Sequence, residues 1–302
     1  MLIRCLFLML ACWQSTFLFA QSNNVSVCDV PSKNCLTWVN GELGNVKPYS
    51  MQWYNYKLLQ LDSLIAIKEF NELKRELNSL KVNRKLPPMF SVHMRIYQAK
   101  LDLIDGNKSH AKKLLQLSLE DLQQLNQSFY SPLRMIKIAN LMQDLEQYAQ
   151  SLTLLEKIKT DFESSRDIYL KLDLYGNLGH VHRHLKNYDA ALANYKLSLE
   201  FAIELGNEQQ ISTLYAHVAR MYQATNQLEL AELNFVEALV HAEKDAQRST
   251  VTNSKINLAL FYVQQLELDK AQVLTNEIDG EKIEIHQKDK WKIISDTLKT
   301  GQ

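Results

Sequence analysis

Tyr175 to Asn207, YGNLGHVHRHLKNYDAALANYKLSLEFAIELGN, decides the fold. Large apolar residues recur three and four apart on both sides of a polar break at Lys186 and Asn187. That spacing predicts two amphipathic helices joined by a tight turn. Small residues, Gly179 and Ala191, stand where the two helices must touch. A large side chain at such a point would prop the backbones apart, while large residues on either side fill the grooves.

The design returns at a fixed interval, which is the first thing to look for in any chain. Steps of 40 residues from Ala191 reach Ala111, Ser151, Ala231 and Ala271, all small. The same steps from Gly179 reach Ala99, Ala139, Ala219 and Ala259. Ile138, Leu178, Val218 and Leu258 keep an apolar register that only Gln98 breaks. Tyr148, Tyr188, Leu228 and Leu268 keep another, with Lys108 as the exception. Each hairpin leaves an apolar face uncovered and must stack on its neighbours.

The pattern resembles the tetratricopeptide repeat on Leu178, Gly179, Tyr188, Ala191, Tyr195 and Leu199, and again on Val218, Ala219, Tyr222, Ala231, Phe235, Ala238 and Leu239. The family unit is usually ~34 residues. The longer unit here is similar to the extended variety found in kinesin light chains and several bacterial regulators. The resemblance covers roughly residues 90–280. It implies an all-α, right-handed solenoid of antiparallel helix pairs, five to six repeats long. It also implies binding of a protein or peptide, without catalysis.

In chain order, Met1 to Ala20 reads as a secretory signal: Arg4, a mostly apolar run from Cys5 to Phe19, and a small residue at the cut. The reading is of an exported, bacterial, periplasmic protein, with secretion as the variant. Loss of Arg4 with the signal leaves 33 basic residues against 34 acidic ones. A neutral chain lacks the basic surplus that nucleic-acid binding needs. No other apolar run is long enough to span a bilayer. The two cysteines that remain, Cys28 and Cys35, are expected to close a disulfide in an oxidising compartment, within an irregular segment 21–50. Asn40-Gly41 after Trp38 and Val39 suggests a small strand pair.

Residues 51–88 read as a divergent helical pair, offset by two residues from the 40-residue step and ended by Pro87-Pro88. Units of the main array, 92–280, are expected to begin near 92, 132, 172, 212 and 252. Ser131-Pro132 is a strong helix start. Residues 281–302 read as a capping helix with Trp291, Ile294 and Leu298 on one face and Lys288, Lys292 and Lys299 on the other.

No phosphate loop, nucleophile elbow or zinc-protease signature occurs, and no carboxylate pair suggests catalysis. No cofactor or metal is implied. His180, His182 and His184 cannot converge, because helical residues two apart point ~200° apart. His182 falls on the packed face, while His180 and His184 share the other.

In repeat proteins of this family the first helices line the concave side. The expected binding surface is therefore Tyr97 and Lys100, Lys137 and Asn140, Asn177, His180 and His184, His217 and Arg220, and Asn257. Asn side chains suit an extended peptide backbone, and Lys and Arg suit carboxylates. The expected ligand is an acidic peptide or one with a free C-terminal carboxylate, held more tightly once the histidines are protonated below about pH 6.5. Two other functions fit the frame less well. One is a periplasmic sensor or partner of a membrane signalling enzyme. The other is a cell-wall enzyme, which would need a carboxyl or histidine site that the sequence does not assemble.

Overall fold

The computed structural model describes residues 25–28, 31–81, 86–125, 131–245, 248–280, 283 and 287–300. The signal segment expected at Met1 to Ala20 lies outside them. Among the described residues the chain forms fourteen α-helices and no strand. They fall into two compact units, divided at Tyr97.

The first unit holds a short 3-10 turn, Val25–Cys28, then α1 (Lys33–Leu43), α2 (Met51–Ala66) and α3 (Phe70–Lys81). A disulfide links Cys28 to Cys35, with Cα atoms 4.7 Å apart. The strand pair expected around Asn40-Gly41 is instead part of helix α1. Ser32 caps that helix by accepting from the Cys35 amide. Cys35 and Val39, four residues apart, supply a fully buried face. Helical spacing thus outweighs the Asn-Gly turn signal, and Asn40 Oδ1 is taken by the Gln60 amide of α2 at 2.7 Å.

Helix α4 (Pro88–Ile104) crosses the division. The second unit continues with α5 (Lys108–Leu125), α6 (Pro132–Asp144), α7 (Tyr148–Asp161), α8 (Ile168–His184), α9 (Tyr188–Glu204), α10 (Glu208–Ala224), α11 (Leu228–Asp245), α12 (Arg248–Gln264), α13 (Leu268–Thr275) and α14 (Lys288–Thr300). The second helix of each pair starts at 108, 148, 188, 228 and 268, without deviation from the 40-residue step. First helices start at 88, 132, 168, 208 and 248 rather than near 92, 132, 172, 212 and 252. The reason is local: Asp167 and Asn207 accept from the Leu170 and Gln210 amides, which begins α8 and α10 a turn early. At α6, Ser131 and Pro132 hold the start in place.

Every hairpin turn is the same. One residue takes a left-handed conformation: Gly106, Glu146, Lys186, Asn226 and Leu266, all with φ between 58° and 81°. The amide of the following residue reaches back to the preceding helix, as Asn187 N–H does to the His182 carbonyl at 2.9 Å. Lys68 repeats the geometry between α2 and α3, two residues off step.

The small residues do what their size predicts. Ala99, Ala111, Ala139, Ser151, Ala191, Ala219, Ala231, Ala259 and Ala271 have no exposed surface. A Cβ on Gly179 would lie 2.5 Å from the Tyr195 ring. Ser151, the one hydroxyl in the series, donates to the Ala139 carbonyl at 2.9 Å, so its polarity is satisfied at the contact. Helix α14 starts 40 residues after α12 and so occupies a first-helix position. Its Ile294 is fully buried, and Trp291 and Leu298 pack beside it.

Candidate functional site

The repeat places three columns of residues on the first helices. One runs Lys100, Asn140, His180, Arg220. The next runs Lys137, Asn177, His217, Asn257, and the third Gln143, Arg183, Gln223. Because stacked helices bring residues of adjacent repeats side by side, the columns bond to one another along the array.

At one end Lys100 donates to Asn140 Oδ1 at 3.0 Å. The Asn140 amide donates to Asn177 Oδ1 at 3.3 Å, and Gln143 Nε2 donates to the same oxygen at 3.1 Å. Asn177 in turn donates to the Asp173 carbonyl. Asp144 sits 3.9 Å from Lys100, and its own burial raises its carboxyl pKa.

The next stretch is cationic. His180 meets His217 edge-on, with ring centroids 4.6 Å apart. Tyr195, from the second helix α9, stacks on His217 at 4.9 Å, and its hydroxyl lies 3.2 Å from His180 Nδ1. Arg220 Nη1 lies 2.9 Å from His217 Nδ1. An arginine nitrogen can only donate, so His217 Nδ1 accepts and the ring is neutral. Arg183 Nη2 stands in the same relation to His184 Nε2, and His184 stacks flat on Tyr148. Lys290, from α14, donates to Asn257 Oδ1 at 2.7 Å.

Burial sets the charge states. It takes His180 down to about 4, helped by the charges of Arg183, His184 and Arg220. It takes His217 well below the usual histidine range for the same reason, with His180, Arg220, Arg183 and Lys290 adding to it. Arg220 falls to about 10 through burial and the neighbouring Arg183. Lys290 falls to about 8 through burial and Arg220. The expectation that these histidines charge below about pH 6.5 is therefore corrected for His180 and His217: burial holds both neutral well below that pH.

Two expected face residues are placed differently. Tyr97 is only 2 % exposed and donates to Asp62 at 2.8 Å, inside the first unit. It is a core residue: an aromatic ring stands where the later repeats carry Lys137, Asn177, His217 and Asn257, and it packs inward. Asn257 is covered, at 9 % exposure, by the helix that brings Lys290. Lys100, Lys137, Asn140, Asn177, His180, His217 and Arg220 are partly buried, and His184 is exposed. Arg183, Tyr195 and Lys290 were not anticipated. Arg183 could have been read from its column, between Gln143 and Gln223. Lys290 could not, since α14 lies outside the recognised repeats.

Among the described residues, no three of His, Cys, Asp and Glu lie together as a metal site would require, and no helix is long and apolar enough to cross a membrane.

Residues 170–244 match the tetratricopeptide-repeat family profile. The chain is also similar to several solved structures. One is a Rap protein complexed with competence and sporulation factor: 15% identity, TM-score 0.58, covering 85% of this chain and 71% of that one. Another is NprR in complex with its cognate peptide NprX: 17% identity, TM-score 0.60, covering 86% and 75%. A third is a signal transduction ATPase with a tetratricopeptide repeat sensor from Pyrococcus horikoshii: 18% identity, TM-score 0.61, covering 87% and 41%. At these identities the likeness is one of fold. No curated protein matches the sequence.

Proposed function

We propose that this chain, whose residues 170–244 match the tetratricopeptide-repeat profile, is a non-enzymatic scaffold that binds a protein or peptide along the face of its first helices. The observation that carries this reading is the row of polar side chains on successive first helices, Lys100, Asn140 and Asn177 bonded to one another and His180, His217 and Arg220 in contact beyond them. Amides along such a strip can take up both edges of an extended backbone. The basic residues favour an acidic segment or a free C-terminal carboxylate. The complex of NprR with its cognate peptide, beside that of the Rap protein with competence and sporulation factor, supports a peptide as the ligand class. The apolar run between Arg4 and Ala20, with the cysteine pair, favours export to a periplasm.

The test is affinity capture from an envelope extract with the mature protein, followed by mass spectrometry of the bound material. Lys137→Glu combined with Arg220→Glu should lose the captured partner while the melting temperature is kept. An outer-face control, Lys196→Glu, should retain it. A partner that binds the double variant as well as the parent would refute the first-helix face as the working surface.

A further inference from the structure

We propose that the cluster formed by His180, Arg183, Tyr195, His217, Arg220 and Lys290 is an oxyanion site, and that the group it takes is a carboxylate or a phosphate. This rests on the first-helix reading above and narrows it to one spot on that face.

The first argument is missing countercharge. Among the described residues, Arg183, Arg220 and Lys290 make no ion pair with a carboxylate. The charges that act on Arg220 and Lys290 are those of their cationic neighbours and, for Arg220, the Tyr195 hydroxyl. Elsewhere in the same unit, cations find acids even at the exposed surface, as Lys108 does Glu146, Lys157 does Asp161 and Lys270 does Glu232. Like charges withdrawn from water and set beside each other are unfavourable until an anion joins them.

The second argument is donor supply. Arg220 gives one N–H to His217, and Arg183 gives one to His184 and also bonds the Tyr195 hydroxyl, while a guanidinium carries five. Arg183 Nε is buried without a hydrogen-bond partner. Lys290 gives one of three protons to Asn257. The surplus donors come from three helices, α8, α10 and α14, and Tyr195 of α9 lies beside them. Planar guanidinium groups bind carboxylate and phosphate oxygens two at a time. His180 and His217 belong to the same cluster and can accept a proton as the anion arrives. The groups facing them are Arg183 and His184 on α8, Tyr195 on α9, Arg220 on α10 and Lys290 on α14.

The test is thermal unfolding of the whole protein at pH 7 in chloride, then in millimolar inorganic phosphate at matched ionic strength. It is repeated with an acetylated tripeptide bearing a free C-terminal carboxylate and with the amide of that tripeptide. The expected result is a melting temperature raised by a few degrees by the oxyanions and not by the amide. A rise with both phosphate and the free acid supports a general oxyanion site. A rise with the free acid alone supports a peptide terminus as its source. No rise with either overturns the proposal. Arg220→Met should unfold in chloride no earlier than the parent and should lose the oxyanion response. Lys290→Met carries the same test on the last helix should Arg220→Met not fold. A response kept in the variant would overturn the assignment. If oxyanions have no effect while a captured partner still depends on Lys137, the oxyanion site falls and the scaffold reading stands.

Discussion

The two ends of the first-helix strip use the same columns of the repeat and treat their polar groups oppositely. Around Lys100, Asn140 and Asn177, donors and acceptors alternate and bond one another across neighbouring repeats. Around His180, Arg183, His217, Arg220 and Lys290, cations stand beside cations, and the donors outnumber the acceptors they reach. A column that satisfies itself stiffens the stack, as buried polar networks do when complete. One left with surplus donors has room for a ligand to complete it. The difference is a substitution of side-chain type at equal backbone geometry, Asn to His and then to Arg along one register, so the scaffold is constant and the chemistry is local.

That contrast can be broken by mutation, and the largest effect should come from the helix contact beneath it. Gly179→Leu drives a side chain into the Tyr195 ring, whose position holds His180 and His217. Overpacking of this kind costs ~3 kcal/mol, to be read from the urea midpoint. Ala231→Leu, in the next hairpin, should cost ~1–3 kcal/mol without moving the histidine rings. A Gly179→Leu protein as stable as its parent would mean that the two helices are not in this register.

Acid should sharpen the comparison next. His180 and His217 are held neutral, with pKa below the unfolded histidine value. Their contribution to stability is therefore full above about pH 6.5 and is lost as pH falls towards about 4. The expected loss across that window is about 3 kcal/mol for His180 alone. His180→Asn with His217→Asn, which restores the amides found at Asn140 and Asn177, should flatten that limb of the curve. An unchanged limb would place the acid sensitivity elsewhere.

At the self-paired end, Asn140→Leu leaves Lys100 without one acceptor and Asn177 without one donor. A cost of ~1–2 kcal/mol follows from unmade buried hydrogen bonds, whereas Arg220→Met in chloride should cost nothing. Equal losses in the two would erase the distinction between the ends. The smallest effect belongs to the turn beside the cationic stretch. Lys186 pays for a left-handed conformation at φ 61°, and Lys186→Gly should gain ~0.5–1 kcal/mol in thermal unfolding.

Much of this was legible because repeats report on themselves. The 40-residue step located both the small contact residues and the columns of the strip. Lys100, Asn140, Asn177, His180, His217 and Arg220 were all found that way, and the structure brings them side by side. The errors came where repetition could not help. Asn40-Gly41 was read from a dipeptide, although Cys35 and Val39 already had helical spacing. Tyr97 sits in the least regular repeat, where register no longer guarantees environment. The charge states of His180 and His217 depend on burial by α9, α10 and α14, which no local pattern encodes.

By itself the sequence determined that the chain is an array of helix pairs, where each pair turns, and which side chains share a face. It could do so because apolar periodicity and the size limit at a helix crossing act within one hairpin and recur. Only the tertiary structure decided that Lys290 joins Arg183 and Arg220, that Tyr195 reaches the strip, and that no carboxylate among the described residues pairs with them. Those facts arise from desolvation and Coulomb interaction between residues as far apart in the chain as Arg183 and Lys290, and such terms exist only once the helices have stacked.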